Sequence, residues 1–141
     1  MQLRRALSLF GLNPSTQDGI NSKTVKKLVN ILENNGYGSL CLLNLFSYRN
    51  SNPSALRKVE DNLTDEDNDK AIKKVFAIHD ADVALMWGTI AKSIDQERID
   101  WLLDNIPVDR NIKCFGITKQ GDPQHPLMMS NKTKLIEYEI K

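Results

Sequence analysis

Ser39-Leu40-Cys41-Leu42-Leu43-Asn44-Leu45-Phe46 is a nearly unbroken apolar run, interrupted by a single amide. Turn-forming residues bracket it, Asn35-Gly36 before and Ser47-Tyr48-Arg49-Asn50 after, so its length suits a strand. The lack of alternation predicts a strand covered on both faces, as in a parallel sheet between helix layers. Working backwards, Val25, Leu28, Val29 and Leu32 recur at helical spacing behind a candidate N-cap, Ser22, and Asn35-Gly36 stops that helix. Residues 3–12, with Leu7, Leu9 and Phe10, form the first strand. It ends at Gly11-Leu12-Asn13-Pro14, because proline cannot donate to a ladder and restricts the residue before it.

The pattern repeats downstream. Residues 53–59 suit a short helix. Thr64-Asp65-Glu66-Asp67 has the form of a capping box, followed by a buried stripe of Ala71, Ile72, Val75 and Phe76. Val83-Ala84-Leu85-Met86-Trp87 is the third strand, closed by Gly88. Residues 89–105 read as one helix with Ile90, Ile94, Trp101 and Leu102 inward, and residues 112–117 as the fourth strand. The tail, 136–140, alternates like an edge strand. Strands separated by helices imply right-handed crossovers. The expected fold is therefore a three-layer α/β/α sandwich with a mainly parallel four-stranded central sheet, one domain over residues 1–141.

Composition narrows the function. Nineteen basic against eighteen acidic residues give a net charge of +1, which argues against a protein that coats nucleic acid non-specifically. No apolar run approaches the roughly 20 residues needed to span a bilayer. The start reads as a strand rather than a signal peptide, so a cytoplasmic protein without a membrane partner is expected. Cys41 and Cys114 lie inside apolar runs and read as reduced core residues. With only His79 and His125 to add imidazole, no metal and no cofactor is expected.

In parallel α/β sheets, ligands sit beyond the carboxyl ends of the strands. The polar interruptions fall there: Asn13-Pro14-Ser15-Thr16 after the first strand, Asn44 with Tyr48-Arg49 after the second, Trp87-Gly88 after the third, and Thr118 with His125-Pro126 after the fourth.

These residues carry two resemblances. Gly11-Leu12-Asn13-Pro14-Ser15-Thr16, Asn44 to Arg49, Asn68-Asp69, Trp87-Gly88 and Gly116 to Leu127 together resemble the domain-of-unknown-function family numbered 1643, of bacteria and phages, over nearly the whole chain. More remotely, the order of motifs is similar to the uracil-DNA glycosylase superfamily. Gly11-Leu12-Asn13-Pro14 is similar to its water-activating motif, Leu42-Leu43-Asn44 to the strand whose asparagine reads the uracil edge, and Leu85-Met86-Trp87-Gly88 to its third core strand. His125-Pro126 is similar to the motif whose histidine faces the leaving base. The resemblance implies a fold of that type and a catalytic pair, Asn13 orienting a water and His125 donating to the base. Pro14, Ser15, Thr16, Asn44, Tyr48, Arg49 and Thr118 would then bind the ligand. The implied partner is a nucleobase or nucleotide, with DNA as its carrier if an N-glycosidic bond is hydrolysed.

The chemistry suits the residue types. Base removal passes through a cationic sugar and needs an oriented water and a donor to the departing base. An amide carbonyl orients water but accepts protons poorly, so a slow or narrow activity follows. Asn44 offers one donor and one acceptor to a pyrimidine edge, and the amides near Ser15 and Thr16 suit a phosphate. Plainer readings compete. Asn13-Pro14 is also a turn that ends a strand, Asn44 also a structural amide, and Trp87 more simply a core residue. Lys23, Lys26 and Lys27 form a solvated helix face, His79 complements a helix end, and Asp18 is a weak second candidate for orienting water. The alternative function is a non-catalytic module that holds a nucleotide-like ligand or another protein, for example in phage–host conflict. The sequence leaves the oligomeric state open.

Overall fold

The computed structural model describes residues 5–14, 23–48, 56, 64, 66–78 and 80–140. In chain order its elements are β1 (Arg5–Gly11), α1 (Lys23–Asn34), β2 (Tyr37–Asn44), α2 (Glu66–Ile78), β3 (Asp82–Leu85), α3 (Ile90–Ile94), α4 (Gln96–Asn105), β4 (Ile112–Cys114) and β5 (Ile136–Glu137). The strands form one sheet in the order β2-β1-β3-β4-β5. The first four are mutually parallel and β5 joins β4 antiparallel. The sheet thus has five strands, the expected four plus an edge strand made from only two residues of the alternating tail.

Strand alternation divides the core in two. Leu7 and Leu9 of β1 point to the face covered by α1 through Leu28, Ile31 and Leu32. Phe10, Val83 and Leu85 point to the other face, covered by Ile72 and Phe76 of α2 and by Ile99 and Leu102 of α4. Side-chain alternation along a strand is what lets one short segment serve both layers. On the first face, α1 is helped by the tail: Met129 and Leu135 pack against the same cluster, which also holds Ala84, Met86 and Phe115. Asn35 holds that tail by donating from Nδ2 to the Thr133 carbonyl (2.9 Å) and accepting at Oδ1 from the Leu135 N–H (3.0 Å).

The sheet's amino end is tied by Asp82. It accepts from the Tyr37 hydroxyl at 2.6 Å and pairs with Arg5 at 3.2 Å. Burial first, then the bond to Asp82, pushes the Tyr37 pKa well above that of ordinary tyrosine.

Several local expectations are corrected. β2 is an edge strand whose cover is incomplete: Leu43 and Cys41 pack into the core on one face and Leu40 on the other, but Leu42 is exposed. Leu42 alone has no explanation in the core. Val29, expected inward, is 42% exposed, and Ile31 takes its place. Residues 89–105 are two helices, because Asp95 is extended (φ −162°, ψ 99°) and its side chain caps the Arg98 N–H of a new helix. Ala71 is exposed and Trp101 only half-buried. Thr64 precedes α2, and its hydroxyl accepts from the side chains of Asn68 (3.3 Å) and Arg98 (3.0 Å). Strands β3 and β4 stop short of Trp87 and Ile117. The candidate cap Ser22, His79 and most of the short helix at 53–59 lie outside the described residues.

Both cysteines are free, Cys114 buried and Cys41 half-buried. They lie on β4 and β2, three strand spacings or about 14 Å apart, too far for a disulfide. Burial raises the pKa of both thiols. No described helix is long and apolar enough to cross a membrane.

Candidate functional site

The strand order locates the crevice. After β1 the chain turns to α1 on one face, and after β3 it turns to α3, whose Ala91 packs on the other. Between β1 and β3 the connections diverge, which is where α/β sheets open a ligand crevice. The residues that end and follow those two strands are Gly11-Leu12-Asn13 and Met86-Trp87-Gly88, with the end of β2 beside β1 and that of β4 beside β3.

Gly11 is opposite Asn44 in the β1–β2 register. A Cβ on Gly11 would stand 3.1 Å from Asn44 Oδ1 and 3.0 Å from the Met86 methyl. The missing side chain is therefore what lets the Asn44 amide and Met86 close over the strand end. Asn44 is half-buried, and no described residue hydrogen-bonds to its side-chain amide. Its backbone is well held: the Asn44 carbonyl accepts from Asn68 Nδ2 (3.3 Å), and the Leu45 N–H donates to the Gly11 carbonyl (2.9 Å).

Asn13 sits on the same side. Its Nδ2 donates to the Tyr48 carbonyl at 2.9 Å and to the Pro14 carbonyl at 3.2 Å. This clips the loop after β1 to the loop after β2, and the planarity of the amide then fixes where Oδ1 points. Tyr48 joins the clip through its backbone, while its ring packs against the core on the α2 face. Pro14 is half-buried. Ser15, Thr16, Asp18 and Arg49 lie outside the described residues.

Beyond β4 the chain folds back on itself. Gln124 N–H donates to the Gly116 carbonyl, Thr118 N–H to the Asp122 carbonyl, and Gly88 N–H to the Pro123 carbonyl, all at 2.8–2.9 Å. Gly121, at φ +87°, makes the tight turn. Thr118 is taken up in this brace, its Oγ1 accepting from the Asp122 N–H (3.0 Å) and the Thr89 hydroxyl (3.2 Å). The bond from Gly88 brings Pro123 to the residues that follow β3.

His125 accepts the Leu127 N–H at Nδ1 (3.1 Å), so the neutral ring carries its proton on Nε2. The residue reaches solvent, yet enough protein surrounds the ring that desolvation lowers its pKa below the ordinary histidine value. Protonation would put a second N–H against that of Leu127. We expect the proton resonances of His125 to titrate with a midpoint below the usual ~6.5, assigned by comparison with His79→Gln. Because the folded pKa is the lower one, His125 leaves stability unchanged above ~6.5. It removes some as pH falls through the window between the two values. A midpoint at or above 6.5 would contradict the bonded, desolvated ring.

Two ion pairs escaped the sequence reading. Lys92 of α3 pairs with the buried Asp122 at 3.0 Å. Arg98 of α4 is only 7% exposed. It pairs with Asp69 at 2.7 Å, donates from Nε to the Leu45 carbonyl at 2.8 Å, and lies 4.2 Å from the Trp101 ring centre. The only signal was the Asn68-Asp69 motif; nothing in a charged helix sequence marks which arginine turns inward. Both carboxylates are thus engaged by cations.

Among the described residues no cluster of His, Cys, Asp and Glu could hold a metal ion. The described cavities lie away from the strand ends: beside the start of β2, on the outer face of α2, and beside the start of β4. No curated protein and no solved structure matches the chain. A family model does match, over residues 2–127, and the chain belongs to that family, described as Protein of unknown function (DUF1643).

Proposed function

We propose that this DUF1643 chain recognises a nucleobase or nucleotide at the β1/β3 crevice, and that hydrolysis of the N-glycosidic bond of a base in DNA is the reaction its residues suit. The observation that carries the reading is the Asn44 side chain. It is half-buried over a glycine, on a backbone fixed by Asn68 and Gly11, with an amide that no described residue satisfies. The amide reaches solvent from this half-buried position and offers a ligand edge one donor and one acceptor. The motif resemblance to the uracil-DNA glycosylases, and with it a fold of their type, supports the same role.

In the proposed reaction a water oxygen adds to the sugar C1′ as the C1′–N bond breaks. The bonding pair leaves with the base, and the water proton passes to solvent. Asn13, held through Nδ2, orients the water with Oδ1. His125 offers its Nε2–H to the oxygen on which charge develops. Without a carboxylate base the turnover is slow.

Duplexes and single strands carrying uracil, mismatched or modified bases, assayed for abasic sites, test this. Wild type is expected to release one class of base, and Asn13→Ala to lower that rate about 10²-fold or more. Identical behaviour of the two proteins across the panel removes the enzymatic reading. The engagement of Asn13 in the loop clip favours a second reading, a binding module without turnover. Calorimetry with nucleotides, against Asn44→Ala and His125→Ala, would then give tight binding with no product.

A further inference from the structure

The core does not account for the exposed Leu42 of β2, and the edge that this strand presents among the described residues gives a reason. Leu45 N–H bonds inward to Gly11. Successive residues of a strand direct their backbone groups to opposite sides, so Asn44, Leu42 and Leu40 point theirs outward; the register shifts at Gly38, which the pairs Arg5–Tyr37 and Ala6–Ser39 pass over. Asn68 takes the Asn44 carbonyl. Among the described residues nothing bonds the outward groups of Leu42 or Leu40. The strand, Tyr-Gly-Ser-Leu-Cys-Leu-Leu-Asn, has no charge and no proline, two of the usual means of protecting an edge, and its one irregularity lies at its start.

We propose that this edge pairs with the same edge of a second copy of the chain, antiparallel about a two-fold axis at Leu40, joining two sheets into one. In that register Leu40 exchanges backbone hydrogen bonds with its counterpart, and Leu42 stands opposite Gly38 of the other copy, where the strand's register shifts.

Three features make the surface self-complementary. First, Leu42 is 42% exposed and shares the α1 face with Leu40, since they pair with Leu9 and Leu7. Opposite residues of an antiparallel pair share a face. The Leu42 side chain therefore falls on Gly38 of the second copy, where there is no side chain. There it meets a groove of about 150 Å³ lined by Val29, Leu32 and Glu33 of α1 with Tyr37 and Leu40.

Second, Lys26, Val29, Asn30 and Glu33 are all exposed and follow helical spacing along one stripe of α1, on the side of that groove. Across a two-fold axis the stripes run antiparallel, so Lys26 of each copy faces Glu33 of the other and the Val29 side chains meet.

Third, the two centres coincide. Leu40 is three residues into β2, about 10 Å at ~3.3 Å per residue. Running back about 10 Å from the end of α1, at ~1.5 Å per residue, reaches residues 27–28, next to Val29. One axis therefore serves strand and helix, as an isologous interface requires.

Sedimentation equilibrium of the full chain is the test. We expect twice the 16.0 kDa chain mass, with a dissociation constant at or below about 10 μM. Leu42→Lys and Val29→Lys change exposed positions, so the far-UV circular dichroism spectrum should remain while the dissociation constant rises about 100-fold. Lys26→Glu and Glu33→Lys should each weaken the dimer about 5–10-fold, and the double reversal should restore it. A monomer at about 100 μM, a dimer indifferent to Leu42→Lys, or a double reversal no better than either single change overturns the proposal. None of these results depends on the function of the crevice.

Discussion

Asp69→Leu is expected to destabilise the fold by about 3–5 kcal/mol, the cost of stranding a buried cation. Arg98 is almost wholly enclosed while Asp69 is 34% exposed, so the two ends of the ion pair are not equivalent. Leucine at 69 removes the counter-charge and covers the route by which water would replace it. Asp69→Ala should cost less, because the opening admits water to the guanidinium. Arg98→Leu removes the charge itself and lets Asp69 rehydrate. What it loses is the donor to the Leu45 carbonyl and the stacking on Trp101, a cost of about 1–3 kcal/mol. Urea unfolding should show these differences as shifts in midpoint at constant slope. The double change should cost less than the sum, since both act on one pair. Losses below about 1 kcal/mol for all three would mean that the guanidinium is hydrated and that the pair does not hold β2 to α2 and α4.

Asn44→Ala is expected to have the larger functional effect, a loss of recognition of about 10²–10³-fold with little change in stability. A site built to hydrogen-bond its ligand loses heavily when that pairing disappears. The amide has no described partner inside the protein, so removing it leaves no internal group unsatisfied. Asn44→Asp should lose comparable affinity for an edge that needs both a donor and an acceptor, because a carboxylate only accepts. Measured binding or base release, set beside the unfolding midpoint, separates this from misfolding. An unchanged affinity in Asn44→Ala would move the site elsewhere and remove the basis of the proposed function.

Much of the architecture was legible because hydrophobic periodicity reports burial directly. Leu7, Leu9 and Phe10, Leu28 and Leu32 of α1, and Val83 to Leu85 all fall where their spacing places them. Asn44 stood out because an amide inside an apolar run needs a reason. The errors have one source: apolar content records burial without saying what does the burying. The run Leu40 to Leu43 reads as covered on both faces, and Val29 as on the inner face of α1, yet Leu42 and Val29 are both exposed. Other features depend on contacts distant in sequence. Arg98 meets Asp69 across two elements, and Asp122 meets Lys92 only because the turn at Gly121 folds back. Neither pairing leaves a periodic trace. The break between α3 and α4 was readable in principle, since Asp95 stands three residues before Arg98 in the spacing of a cap.

The clasp between Asn35 and residues 133–135 bears on where the protein can be cut. The matched family region stops at residue 127, and an expression boundary drawn there would look natural. It would discard Met129 and Leu135, which pack against the core cluster on the α1 side of the sheet. The trimmed product would be a sticky, half-covered sheet, and its failure in any assay would say nothing about the crevice.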